Sequence, residues 1–202
     1  MNLYLATVAL ALFASYLLGS ICSAIPVCAL LDLPDPRTQG SGNPGATNVL
    51  RVGGRIPALI TLTGDMLKGV IPVVAARMLH QGMMLTALMG LAAFLGHLYP
   101  LLYRFQGGKG VATAFGVIWA LPSWMGASIS LIWLAIFLLT RISSLSALIA
   151  FGSMPLFAWF MIRPAFIPLT IMSILLLLRH HRNITALLQG GEKGFGKQKP
   201  GS

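Results

Sequence analysis

Long apolar runs alternate with short polar segments along this chain. The runs cover 3–31, 56–79, 83–103, 111–140, 143–161 and 164–179. About 20 apolar residues carry a helix across the hydrocarbon of a bilayer. None of the runs alternates apolar and polar positions as a barrel strand must, so the spans are helices that satisfy their own backbone groups. The run 111–140 is unusually long and contains Pro122 followed by Ser123. Proline removes a donor and clashes with the preceding turn. The pattern therefore predicts two elements there, 111–121 and 123–140, the first too short to cross unaided. The expected architecture is an all-α integral membrane protein, a compact bundle of about seven transmembrane helices, some short or broken. It is read as a single domain over 1–202.

Composition agrees. Of 202 residues, 56% are hydrophobic, 9% are charged, and the mean hydropathy is +0.83. A soluble domain carries roughly 25% charged residues. Lys and Arg number 14 against four acids, which are Asp32, Asp35, Asp65 and Glu192. Most cations flank three polar segments, at about 32–55, 102–111 and 179–202. An odd number of elements puts all three segments on one side of the membrane, and the positive-inside tendency makes that side cytoplasmic. Only Arg77 and Arg163 then lie outside, and the N-terminus starts outside. The excess charge has two sources to choose between: topology with anionic lipid heads, or an anionic substrate. Neither calls for nucleic acid. The first run lacks the charged start of a cleavable signal and exceeds its apolar length, so it reads as a retained span. Cys22 and Cys28 lie in it and read as buried small hydrophobes.

The polar segments carry groups that hold phosphate. The first contains Ser41, Gly42, Asn43, Gly45, Thr47, Asn48 and Arg51. Glycine lets backbone N–H groups approach an anion, and arginine offers a planar fork. The same residues also suit an ordinary cytoplasmic loop with turn residues. The second segment holds Gly107-Gly108-Lys109-Gly110, followed by Thr113. It is not a P-loop, because Tyr103 stands where the first glycine would be and Gly110 follows the lysine. A glycine turn, a lysine and a helix starting at about Val111 would still present positive charge and free N–H groups to an anion. The third segment holds Arg179, His180, His181, Arg182, Asn183 and Glu192. Its cations suit either phosphate or lipid heads.

Asp65 and Lys68 lie three apart inside an apolar run. Charges there are costly. Either they form an ion pair that locks helices, or Lys68 adds to a phosphate field while Asp65 orients a donor. His97, near the end of a span, is either a helix–helix hydrogen bonder or part of a site. No spacing among histidines, cysteines and acids suggests a metal site, and no cofactor is expected. No Ser-His-Asp arrangement shows by spacing. The HxxxxD pattern of CoA-using glycerolipid acyltransferases is absent, because Leu85, Leu102, Thr185 and Ala186 stand five residues after the histidines.

Taken in order, these segments resemble the signature segments of the bacterial acyl-phosphate-dependent glycerol-3-phosphate acyltransferases, the PlsY family. The residues that carry the likeness are Ser41-Gly42-Asn43 with Gly45-Ala46-Thr47-Asn48 and Arg51, then Asp65, Lys68-Gly69 and Pro72. Gly96-His97, Pro100 and Gly107 through Thr113 follow, and Arg179-His180, Asn183-Ile184 and Glu192 complete it. One departure is Ala186, where the family often has arginine. The resemblance implies transfer of an acyl chain from a fatty acyl phosphate to the 1-hydroxyl of glycerol 3-phosphate, giving lysophosphatidic acid and phosphate. That is the first step of phospholipid synthesis. It implies catalytic roles for Ser41, Arg51, Lys109, His180, Asn183 and Glu192. It implies substrate binding by Gly42, Asn43, Gly45, Thr47, Asn48, Asp65, Lys68, His97, Gly107, Gly108, Gly110 and Thr113. It also implies a multi-pass protein of the bacterial inner membrane, a cytoplasmic active site, contact with membrane lipids and a functional link to the enzyme that makes acyl phosphate. The general base stays open among His97, His180 and a substrate phosphate. A transporter or channel for a small anion is the competing reading. Gathering of polar groups at one face, rather than at the midplane, speaks against it.

Overall fold

The computed structural model describes residues 3–122, 124–192 and 194. The polar tail expected at 179–202 lies partly outside them. Among the described residues all regular structure is helical. The chain divides into two compact units, Met1–Pro122 and Ser123–Ser202.

The first unit contains α1 (Leu3–Gly19), α2 (Ala24–Leu30), α3 (Ala46–Gly53), α4 (Arg55–Met78), α5 (Met83–Leu98), a 3-10 turn (Leu101–Tyr103) and α6 (Val111–Ala120). Helix α4 is its hub and touches α1, α2, α3, α5 and α6. Two backbones meet closely where α4 crosses α6: a Cβ on Gly69 would overlap the Thr113 carbonyl, and one on Gly116 would overlap that of Met66. Small residues allow such approach in membranes, where dispersion rather than water exclusion holds helices together. Short α3 is amphipathic. It buries Val49 in a cluster with Ala24, Cys28 and Ala58 and leaves Arg51 exposed in its last turn. Cys22 and Cys28 are buried and free, as small hydrophobes should be.

The second unit contains α7 (Met125–Thr140), α8 (Ser143–Gly152), α9 (Met154–Met161), α10 (Phe166–Arg179) and α11 (His181–Leu188). Helix α8 packs on α7 and α10, and α11 touches α10 and α8. Outward-facing apolar side chains are abundant in both units, with Leu3 and Leu139 each 82% exposed. Such a surface suits lipid and not water.

Among the described residues, three helical stretches are long and apolar enough to cross a membrane: Arg55–Met78, Met83–Tyr103 and Ser143–Met161. Two bent pairs, α1 with α2 and α10 with α11, bring the number to five, and α6 and α7 are shorter apolar helices. The expected break near Pro122 is present. Leu121 is extended at φ −72° and ψ 144°, as a residue before proline must be. The carbonyl of Ala120 accepts a hydrogen bond of 2.7 Å from Arg77 Nη1, which satisfies one group freed at the helix end.

The first run departs from expectation. In place of one span over 3–31, the helix stops at Gly19, restarts at Ala24 and bends by 42°. Pro26, in the first turn of α2, lacks an N–H and crowds the Cys22 carbonyl, so a continuous helix through 20–23 is disfavoured. The exposed backbone groups have partners on α4: Lys68 Nζ donates to Ile21 O at 2.7 Å, and Ser23 N donates to Asp65 Oδ1 at 3.4 Å. Irregular backbone at membrane depth survives where protein satisfies it in this way.

Candidate active site

The loop between α2 and α3 is organised by one buried side chain. Asn48, 1% exposed, accepts the Ser41 N–H at Oδ1 over 2.8 Å. Its Nδ2 donates to Pro36 O at 2.8 Å and to Gln39 O at 3.0 Å. Both amide protons are thus engaged by loop carbonyls, and Asn48 holds the loop in shape. Ser41 and Gly42 are exposed on it, and Asn43, Gly45 and Thr47 are half-buried. Gly45 is the extended residue before α3, at φ −141° and ψ 160°. The loop's Arg37 grips Asp35 with Nη2 at 2.6 Å and Nε at 3.0 Å. That hydrogen bonding holds the Asp35 carboxyl below the usual carboxylate range. The Arg37 guanidinium also lies 6.0 Å above the Tyr103 ring. The first polar loop is therefore tied to the turn that leads into the second.

The second segment runs from that 3-10 turn through Arg104 and Phe105, both with positive φ, into Gly107-Gly108-Lys109-Gly110. Gly110 stands at φ 88°, a conformation that favours glycine, and α6 starts at Val111 as the motif predicts. Gly107, Gly108 and Gly110 are buried, and Lys109 is half-buried at the start of the helix. The Thr113 hydroxyl, in the first turn of α6, is fully buried and has no hydrogen-bond partner among the described residues. Leaving a buried hydroxyl unsatisfied costs about 1–3 kcal/mol.

Beneath the turn lies an ionic cluster. Lys68 Nζ is 2.8 Å from Asp65 Oδ1, and His97 Nδ1 is 3.7 Å from the same oxygen. Asp65, Lys68 and His97 are 1%, 3% and 3% exposed. Both sequence readings of the Asp65–Lys68 pair thus meet a physical fact. The pair is closed, and it satisfies the helix break between α1 and α2.

In the second unit, His180 caps α10 and is 2% exposed. Its Nδ1 is 2.8 Å from Leu176 O. A carbonyl only accepts, so Nδ1 carries the proton and Nε2 is the basic nitrogen of the neutral ring. Asn183 is half-buried on α11, and its amide donates to Glu192 Oε1 at 2.7 Å. Ser144 Oγ, from α8, donates to the same oxygen. Arg179 ends α10.

Within the first unit the structure brings together Asp65, Lys68, His97 and the Gly107–Gly110 turn, and within the second it joins Asn183 with Glu192. Sequence reasoning missed Ser144, Ser23 and the Ile21 carbonyl. A lone serine or backbone oxygen leaves no signal in a sequence, because only tertiary packing gives it a partner.

Comparison with known proteins places these features in a family. The family model described as glycerol-3-phosphate acyltransferase matches residues 9–190. A glycerol-3-phosphate acyltransferase of Methylobacillus flagellatus is 50% identical over 187 residues, 92% of this chain and 95% of that one. One from Idiomarina loihiensis is 46% identical, over 94% of this chain and 97% of its own. The crystal structure of PlsY (YgiH), an integral membrane glycerol 3-phosphate acyltransferase, in its glycerol 3-phosphate form, is 37% identical. It superposes with a TM-score of 0.89 over 94% of this chain and 96% of that one. Its lysophosphatidic acid form is 36% identical with a TM-score of 0.87 over the same shares.

Proposed function

Because the chain belongs to the glycerol-3-phosphate acyltransferase family, we propose that it transfers a fatty acyl chain from acyl phosphate to the 1-hydroxyl of glycerol 3-phosphate. The acceptor oxygen forms a bond to the acyl carbon, and the bond from that carbon to the bridging phosphate oxygen breaks. Lysophosphatidic acid and inorganic phosphate leave. The hydroxyl proton passes to a basic atom, for which His180 Nε2 and a substrate phosphate oxygen both qualify.

The observation that carries this reading is the Gly107–Gly110 turn at the start of α6, with Lys109 upon it and a buried, unsatisfied Thr113 hydroxyl just inside. A helix start, a lysine and a spare donor suit phosphate. Acyl phosphate is a mixed anhydride with a good leaving group, so positioning and charge stabilisation can supply much of the rate. Ser41, Gly42, Asn43, Gly45, Thr47 and Arg51 of the first loop add donors and charge. In the second unit Asn183 is the polar group offered to substrate, and Glu192 orients it. The whole chain acts as one acyltransferase domain without a cofactor. It sits in the bacterial inner membrane with its polar segments toward the cytoplasm, where an acyl-phosphate-producing enzyme supplies the donor.

Purified protein incubated with labelled glycerol 3-phosphate and a synthetic acyl phosphate tests the reading. Lysophosphatidic acid should form with equimolar release of phosphate, and acyl-CoA should not replace the donor. Uptake of label into sealed vesicles without product would favour an anion transporter instead.

A further inference from the structure

We propose that His97 is a positioning residue for the Gly107–Gly110 turn, held in register by the buried Asp65–Lys68 pair. The inference rests on the acyltransferase reading and deepens it. It differs from the sequence expectation that Asp65, Lys68 and His97 touch substrate.

Contacts on both sides of His97 support it. On one side, Gly108 N donates to the His97 carbonyl at 3.2 Å. A Cβ on Gly107 would overlap that carbonyl, and a Cβ on Gly108 would overlap ring atom Nε2. The two glycines lie flush on one residue, one on its backbone and the other on its ring. On the other side, Nδ1 faces Asp65 Oδ1 at 3.7 Å, Asp65 holds Lys68 at 2.8 Å, and Lys68 reaches Ile21 O at 2.7 Å. Four segments of the first unit meet here: the α1–α2 break, α4, the end of α5 and the turn. With the ring set between carboxylate and turn, and all three side chains almost wholly buried, these residues lie behind the anion-binding surface.

The arrangement answers a physical need. Three glycines in four residues give the turn its close approach to an anion, and the same glycines leave it little intrinsic stiffness. A lysine displaced by about 1 Å can cost 100-fold in rate. A rigid ring beneath the turn, fixed by a neutral ion pair, restores the definition that glycine removes.

A suppressor experiment tests this. Wild-type protein is assayed first with acyl phosphate and glycerol 3-phosphate; inactivity there would sink the acyltransferase reading and not this one. Gly108→Ala should lower kcat/KM about 100-fold, because its Cβ meets the ring and shifts the turn. Adding His97→Asn should then recover at least about tenfold of that loss. Asparagine keeps an amide near the place of Nδ1, facing Asp65, and is too short to meet the new Cβ. A substrate-contacting His97 requires the opposite sign, with the double variant worse than Gly108→Ala. A double variant no better than the single, or a fully active Gly108→Ala, overturns the proposal. Should Gly108→Ala yield no folded protein, His97→Asn alone carries the test. It should lose about tenfold in kcat/KM while the pH profile keeps its shape. Unchanged activity, or loss of one limb of that profile, overturns the proposal as well.

Discussion

Asn183 and Glu192 are joined by a hydrogen bond of 2.7 Å, the amide of one donating to Oε1 of the other. Because Ser144 donates to the same oxygen, one carboxylate ties α11 to α8 and fixes the direction of the Asn183 side chain. Glutamine at position 192 keeps an acceptor oxygen, whereas alanine removes the one that Asn183 and Ser144 share. Glu192→Ala should therefore lower the melting temperature in detergent and reduce kcat/KM by about tenfold or more, and Glu192→Gln should do markedly less of both. Equal behaviour of the two variants in both measurements would count against this role.

Lys109 stands on a glycine turn at a helix start. Lys109→Ala should nearly abolish lysophosphatidic acid formation while the protein elutes and melts as wild type does. Near-normal turnover would remove Lys109 from the site.

Arg51 is exposed in the last turn of α3. If its guanidinium makes a two-pronged phosphate contact, Arg51→Lys should impair kcat/KM almost as much as Arg51→Ala. Full rescue by lysine would show that a point charge is enough.

Removing one partner of a closed, buried ion pair strands the other. Asp65→Asn should destabilise the protein by about 3–5 kcal/mol, read as a lower melting temperature. Asp65→Asn with Lys68→Met should recover much of the melting temperature without recovering activity, because the ring of His97 has lost its anchor. Recovery of both would leave the pair a purely structural role, and recovery of neither would show that the α1–α2 break depends on the charges themselves.

Sidedness has its own test. Single cysteines at positions 41, 106 and 189, in a background lacking Cys22 and Cys28, should resist a membrane-impermeant thiol reagent in intact cells and label once the membrane is opened. Cysteines at positions 81 and 163 should label from outside. External labelling at position 189 with protection at 41 would give an even number of crossings and refute the topology.

The apolar runs, their helical nature and the break at Pro122 were legible in the sequence. Each follows from local physics: hydrocarbon demands an internally bonded backbone, and proline kinks or ends a helix, as it does at Pro122, although α4 continues through Pro72. The start of α6 at Val111 was equally legible, because a glycine run before an apolar run marks a helix start. The polar segments in order carried the family resemblance that implied the chemistry; glycine, cations and donors by themselves suit phosphate and also an ordinary loop or lipid heads. The break at Ser20–Ser23 was not anticipated, although Pro26, four residues past Cys22, is a local signal for it; side chains from α4 make the bend tolerable. That Asp65 and Lys68 close on each other at 2.8 Å, with Lys68 Nζ 2.7 Å from the Ile21 carbonyl in the α1–α2 break, was visible only in the folded structure. Asn48 shows the same limit. Its amide type was visible, but only the folded loop decided that Pro36, Gln39 and Ser41 would take its hydrogen bonds. Residue type and spacing along the chain determine which groups a helix or turn can offer. Which of them meet each other, and which are left for a ligand, depends on contacts between positions tens of residues apart, and tertiary packing alone sets those.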